Sequence, residues 1–150
     1  MQNLPHHYRV AATAGPEGSV DLASAGLEPI SSAAPAEYGG PGDRWSPETL
    51  LVATVADCFV LSFRAIARAS KLSWLSLNCD VEGTLARIEG TTKFTEFKIN
   101  VILAVPEGTS EERARHLLEK AEASCLITNS LTAATHLSAE VAVKSSHGAT

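Results

Sequence analysis

The stretch of sequence that decides the fold runs from residue 46 to residue 70 and reads SPETLLVATVADCFVLSFRAIARAS. Ser46 is suited to cap a helix, Pro47 to occupy its first position, and Glu48 to oppose the positive end of the helix dipole. We therefore predict a helix from Pro47 to about Ser70, roughly 36 Å long at the usual rise per residue. Its first two-thirds is apolar on nearly every face, which is typical of a central helix packed on several sides.

The other elements are predicted from alternating apolar residues and from turn residues. Strands are expected at 8–14, 19–22, 75–88, 93–105 and 136–144, with a loop at 33–46. Thr109 or Ser110 is expected to cap a second helix that ends near Ser124, and an irregular or helical piece follows at 125–131. This order predicts an α+β fold in which antiparallel sheets pack around the long helix.

Composition predicts a single globular domain over residues 1–150, with 45% apolar and 19% charged residues. A net charge of −5 without a basic tract argues against nucleic acid or an acidic membrane surface as partner. Thr54, Asp57 and Ser62 interrupt the apolar stretch 50–63, so we expect no membrane span. The N-terminal residues lack the pattern of a signal peptide, and three cysteines suit a reducing compartment; a cytoplasmic protein is expected.

The candidate reactive groups are the cysteines. Cys58 lies within the predicted long helix and Cys125 just after the second helix, 67 residues further along the chain. A free cysteine in apolar surroundings usually acts as a small hydrophobe, and Cys79 on a predicted strand is expected to be such a core residue. A reactive thiol instead needs a cation or hydrogen-bond donors beside it. Arg44, in the loop before the helix, is the candidate cation.

Glu48 is the carboxylate in the most distinctive place, although compensation of the helix dipole would also explain it. Glu48 and Cys58 are ten residues apart on one helix, about 15 Å along its axis, so a site with both needs two antiparallel copies of the helix. A two-fold homodimer would provide them. The five histidines show no zinc-like spacing with any cysteine, so neither a metal nor another cofactor is expected.

Two motifs carry a resemblance to a known family. The first motif is Pro47-Glu48-x-Leu50, followed after seven residues by Cys58. The second motif is Cys125, followed after three residues by Asn129-Ser130-Leu131. Together they resemble the OsmC/Ohr family (osmotically inducible protein C and organic hydroperoxide resistance protein), and the resemblance extends over residues 8–143. It implies an intertwined homodimer with sites at the subunit interface and thiol-dependent peroxidase activity toward organic or inorganic hydroperoxides.

Carried over by position, Cys58 resembles the peroxidatic cysteine, Cys125 the resolving cysteine, and Glu48 the glutamate that holds a catalytic arginine. The family supplies that arginine from its N-terminal strands or the following loop, and this sequence offers Arg9 and Arg44 without a matching spacing. We prefer Arg44 because it closely precedes the helix. An external dithiol is the implied reductant. The alternative is a non-catalytic OsmC-like dimer that binds a small apolar ligand, which the absence of an arginine from the site would favour.

Overall fold

The computed structural model describes residues 2–145. The chain forms two compact units, Met1–Leu51 and Val52–Thr150, and the boundary between them falls within the long helix.

The first unit contains a small antiparallel sheet in the order β1-β2-β3. Its strands are β1 (Ala11–Thr13), β2 (Val20–Ala23) and β3 (Ile30–Ser32). The first two confirm the predicted pair, with β1 shorter than expected and β2 shifted by one residue, and β3 was not predicted. After a 3-10 turn at Ala36–Tyr38, the backbone N–H of Ala33 donates to the Trp45 carbonyl at 2.9 Å. This bond fixes the end of the loop directly before the long helix.

The long helix, α1, spans Pro47–Ala69 and begins where the sequence predicts. Ser46 and Thr49 exchange hydrogen bonds: the Thr49 N–H donates to Ser46 Oγ at 3.1 Å, and the Ser46 N–H donates to Thr49 Oγ1 at 2.8 Å. This reciprocal pair is a capping box, which satisfies backbone donors that a helix start leaves unpaired. It explains why α1 begins at Pro47.

Only one stripe of α1 is buried by the chain itself. The buried residues are spaced four apart and are Val55, Phe59, Phe63 and Ala67. By length and composition, α1 is long and apolar enough to cross a membrane, since its most apolar 18-residue window has a mean hydropathy of 1.9. Only 22% of that window is buried by the chain itself. The predicted packing on several sides is therefore not supplied within one chain.

The second unit contains a three-stranded sheet in the order β4-β5-β6. Its strands are β4 (Ser76–Ile88), β5 (Thr91–Pro106) and β6 (Ala134–Lys144). β4 and β5 form the predicted hairpin, whose two turn residues, Glu89 and Gly90, both have positive φ, 50° and 82°. That backbone matches the twist of a two-residue hairpin. Phe97, Ile99, Val101 and Leu103 of β5 are all buried.

The prediction of antiparallel sheets is wrong for one strand pair: β6 lies parallel to β5, with Ile99 opposite Leu137. The connection is a crossover through α2 (Glu111–Ser124) and the short α3 (Leu126–Asn129). Because such a crossover returns the chain to the starting end of the preceding strand, the next strand runs in the same direction. Ser110 caps α2, as predicted, by accepting a hydrogen bond from the Arg113 N–H at 3.2 Å.

Gly83 on β4 marks a close approach between the sheet and α1. A Cβ at this position would lie 2.9 Å from Cγ2 of Val52 and 3.0 Å from the rings of Phe94 and Phe97. The two rings stack with centroids 5.4 Å apart. The β4 face that carries Gly83 is therefore the face that meets α1.

Candidate active site

Cys58 lies at the middle of α1, directly before the buried Phe59. Its side chain is half-buried. One helical turn further, the hydroxyl oxygen of Ser62 lies 3.8 Å from the Cys58 sulfur, a hydrogen bond in which either group serves as donor. The helix thus presents a thiol that is partly accessible and has a polar neighbour.

Cys125 lies at the junction of α2 and α3 and is only 1% exposed. The Cys58 thiol is among the groups that lower the pKa of the Cys125 thiol by hydrogen bonding, so the fold brings the two cysteines of the predicted pair near each other. Both belong to the second unit, in which α1 and the α2–α3 junction meet at this point. The expected juxtaposition of the two thiols is present within a single chain.

Hydrogen bonds favour the ionised form of Cys125. Burial by itself would raise the pKa of this thiol, but the backbone N–H and hydroxyl of Thr128, the Cys58 thiol and the Ile127 N–H together outweigh it and lower the pKa. The Thr128 hydroxyl also lies 3.2 Å from the Cys125 carbonyl oxygen. Since a hydroxyl has one proton, it serves the sulfur or the carbonyl at any moment.

Thr128 was not identified from the sequence. It is buried, and it follows Cys125 by three residues. That is the spacing at which a side chain near a helix start reaches back to the capping residue. The sequence predicted an irregular or helical piece at 125–131, and without a definite helix start there the spacing of Thr128 from Cys125 could not be recognised as a cap.

Cys79 lies on β4, as predicted, but it is half-buried and not a fully buried core residue. Burial, then the charge of its neighbour Asp80, then the charge of Cys125 raise the pKa of the Cys79 thiol to about 11. The charge of Cys125 therefore acts on this third thiol. The sequence alone predicted only an inert core position.

Glu48 and Arg44 belong to the first unit. Glu48 is half-buried, and its Oε1 is buried without a hydrogen-bond partner among residues 2–145. Nη1 of Arg44 donates to Ser31 Oγ at 3.1 Å, and its Nε lies 3.9 Å from Asp43 Oδ1. The side chain of Arg44 is 45% exposed. Burying a carboxylate oxygen without a hydrogen-bond donor costs free energy of folding. The described part of this single chain does not supply a donor for Glu48. The role of Arg44, like that of Arg9, stays a prediction.

Two surface depressions lie away from the cysteines. One of about 530 Å³ follows the polar face of α2, and one of about 480 Å³ lies beside Arg44 and Trp45. Within residues 2–145, no group of three or more His, Cys, Asp and Glu side chains is placed to hold a metal ion. The cysteine pair Cys58 and Cys125 is the strongest candidate for a reactive site in the described chain.

The fold and the site together define a class: α+β proteins with two sheets, a long helix bearing one cysteine, and a second cysteine against it. The model of the OsmC-like protein family matches residues 40–140, so the chain belongs to the OsmC family. This confirms the resemblance drawn from the two sequence motifs.

Similar proteins agree with this placement. The chain is 28% identical over 144 residues to the uncharacterized protein YmaD of Bacillus subtilis, covering 93% of this chain and 95% of that protein. An OsmC-like protein of unknown function from Vibrio cholerae has the same fold, with a TM-score of 0.78 at 18% identity, covering 94% of this chain and 99% of that one. The organic hydroperoxide resistance protein OsmC from Legionella pneumophila is 27% identical, with a TM-score of 0.67 and coverage of 94% and 100%.

Proposed function

We propose that this protein is a thiol-dependent peroxidase that reduces organic or inorganic hydroperoxides with Cys58 and Cys125. The observation that carries the proposal is the hydrogen bond between the two sulfurs. Thiols in contact form a disulfide with little movement once one of them is oxidised. The Legionella pneumophila relative named as an organic hydroperoxide resistance protein supports the substrate class.

The difference in exposure supports Cys58 as the residue that takes the first step. Cys125 is 1% exposed whereas Cys58 is half-buried, so a hydroperoxide reaches Cys58 first. The Cys58 thiolate attacks the distal peroxide oxygen, the O–O bond breaks, and the alkoxide leaves and takes up a proton as an alcohol. Cys58 is oxidised by two electrons to a sulfenic acid.

Cys125 performs the second step. Its thiolate attacks the Cys58 sulfur, a disulfide forms, and the hydroxide of the sulfenic acid leaves as water after taking up a proton. An attacking thiol must be ionised, and the hydrogen bonds from Thr128 and Ile127 favour ionisation of Cys125. An external dithiol then reduces the disulfide and restores both thiols.

A second copy of the chain would complete the site. Glu48 has a buried oxygen without a donor, and α1 leaves much apolar surface uncovered. Glu48 and Cys58 are ten residues apart on this unbroken helix, so they approach each other only across two antiparallel copies. In this arrangement a guanidinium, from Arg44 or Arg9, pairs with Glu48 and stabilises the Cys58 thiolate. The homodimer and its reducing cytoplasmic setting are part of the proposal.

Steady-state turnover of cumene hydroperoxide with a dithiol such as dithiothreitol tests the proposal. We expect Cys58→Ser to abolish turnover, because it removes the attacking sulfur. Cys125→Ser should consume about one equivalent and then stop, with Cys58 trapped as sulfenic or over-oxidised forms. Arg44→Ala should slow the peroxide step by about tenfold or more, and Glu48→Ala less. Turnover by Cys58→Ser at the wild-type rate would overturn the proposal.

A further inference from the structure

Ser62 is a polar residue in the interior of the apolar helix α1, which ends only at Ala69. Serine is a weaker helix former than Leu61 or Ala65 beside it, so helix propensity does not explain its presence. Thr49, another hydroxyl residue of α1, is explained by the capping box at the helix start. The role of Ser62 therefore depends on what its side chain contacts.

The Ser62 side chain lies against the sulfur of Cys58. Residues four apart on a helix share a face, and the hydroxyl oxygen of Ser62 lies 3.8 Å from the Cys58 sulfur. Both side chains are half-buried, so water competes for this contact only in part. Because the two residues belong to one helix, their contact does not depend on how other elements pack against α1.

A hydroxyl can accompany the sulfur through both of its protonation states. When Cys58 is a thiol, either group can serve as the donor. When Cys58 is ionised, its sulfur can only accept, and the hydroxyl turns to donate to it. Hydrogen bonds to a charged acceptor are stronger than those to a neutral one. The contact therefore strengthens in the form of Cys58 that attacks a peroxide.

We propose that Ser62 is a positioning residue for Cys58, whose hydroxyl donates to the ionised sulfur and holds it in one orientation. This inference deepens the proposed peroxidase function and rests on it for the identity of the reaction. A sulfur held in one rotamer reaches the distal peroxide oxygen more often than one that samples several. Ser62 keeps its own proton and forms no covalent bond in this step.

The other groups around Cys58 determine how the role of Ser62 can be isolated. The positions one turn away on α1 carry no charged side chain and are Thr54, Val55, Leu61 and Ser62. Asp57 is exposed and lies about 100° around the helix axis from Cys58. Cys125, at the α2–α3 junction, also interacts with Cys58. A test of Ser62 is therefore made in the wild-type protein and repeated in Cys125→Ser.

Alkylation by iodoacetamide tests the contact without any peroxide. The protein is alkylated at about pH 7 and about pH 10 and digested with trypsin. Cys58 is followed in peptide 45–64, and Cys79, in peptide 72–87, is the reference within each sample. Ser62→Ala removes the hydroxyl and should fold, because alanine is the best helix former. Ser62→Thr keeps the hydroxyl and is the matched control.

At about pH 7 we expect Ser62→Ala to slow alkylation of Cys58 about three- to tenfold, because the partly exposed thiolate loses one donor. The difference should shrink at about pH 10, where alkali ionises a thiol without the help of a donor. Ser62→Thr should be alkylated at about the wild-type rate, and alkylation of Cys79 should be the same in every protein.

Three results would overturn the proposal. The first is an equal rate for Ser62→Ala and the wild type at about pH 7. The second is a loss shared by Ser62→Thr, since that variant retains the hydroxyl. The third is a loss of the same size at both pH values, because altered packing alone would then explain it.

The peroxide step separates this inference from the peroxidase proposal. With cumene hydroperoxide in place of iodoacetamide, oxidation of Cys58 should slow by about the same factor in Ser62→Ala. An unchanged peroxide step beside slowed alkylation would overturn the positioning role and leave the peroxidase intact. Reaction of neither protein with the hydroperoxide would remove the peroxidase, while the alkylation rates would still decide whether Ser62 holds the sulfur.

Discussion

The hydrogen bonds to the Cys125 sulfur distinguish this thiol from the other cysteines. Cys125 is buried, which disfavours a thiolate, yet Thr128, Cys58 and Ile127 stabilise its ionised form. Cys79 is also partly buried but has Asp80 beside it, so its thiol is held protonated. Three residues of one type therefore differ in chemistry because their neighbours differ. Cys58 also differs from Cys125 in access, because its side chain is half-buried whereas that of Cys125 is buried.

Thr128→Val tests this view at the residue scale. The substitution keeps the buried volume but removes the hydroxyl, so the pKa of Cys125 should rise toward its ordinary value. The shift should be partial, because the backbone N–H groups of Thr128 and Ile127 remain. The local helix should persist, since the Asn129 N–H still donates to the Cys125 carbonyl at 3.0 Å. The measurement is the pH dependence of alkylation of Cys125 by iodoacetamide, followed in the tryptic peptide 121–144 that contains it.

Thr128→Ser is the matched control, because it keeps the hydroxyl at the same position. Its alkylation curve should overlay the wild-type curve, while that of Thr128→Val moves to higher pH. Superimposable curves for all three proteins would show that the hydroxyl contributes nothing to ionisation of Cys125.

The sequence identified the two cysteines that the fold brings near each other. The motifs around Cys58 and Cys125 name them as a pair, and the structure brings their sulfurs together. Alternation along β4 places Cys79 on an inward face but does not show which residue stands opposite. Cys125, whose charge acts on it, comes from the far end of the crossover, a distance in sequence that local patterns do not bridge. The partner of Glu48 is also beyond the sequence of one chain.

At the scale of elements, the starts of α1 and α2 were predicted well because each is marked in the sequence by a serine that caps the helix. Ser46 and Ser110 each accept a hydrogen bond from the backbone N–H three residues later. Strand direction has no such local signal: alternation predicts that 136–144 is a strand, whereas only the crossover makes β6 parallel. The strand β3, three residues with two serines, is too short for a periodic pattern.

Gly83→Ala should destabilise the packing of β4 against α1. The added methyl would meet Val52 Cγ2 at 2.9 Å and two phenylalanine rings at 3.0 Å, so these groups must shift. Overpacking of this kind costs about 1–3 kcal/mol. The measurement is the free energy of unfolding from urea denaturation, with Val52→Ala added to make room. A double variant no more stable than Gly83→Ala alone would show that Val52 is not the limiting contact.

At the scale of the whole molecule, α1 is the main reason to expect a second chain. Its own chain buries one stripe, and Leu61 remains 49% exposed. An apolar helix left this open is typical of an interface between subunits.

We therefore expect light scattering at micromolar concentration to give about twice the chain mass of 15.8 kDa. Leu61→Glu should shift the mass toward that of one chain, because it places a charge on the exposed apolar surface of α1. Leu61→Met, which keeps the surface apolar, is the control and should remain at the wild-type mass. A stable monomer in the wild type would end the account of a site completed by two chains.

The central claim is that Cys58 and Cys125 form one redox couple. It is tested most directly by adding about one equivalent of cumene hydroperoxide to the reduced protein at neutral pH and mapping the products by mass spectrometry. After digestion with trypsin, the account predicts that peptide 45–64, which contains Cys58, is linked to peptide 121–144, which contains Cys125. Peptide 72–87, which contains Cys79, should be recovered alkylated and not linked to another peptide. All three peptides recovered as free thiols with the hydroperoxide unconsumed would contradict it.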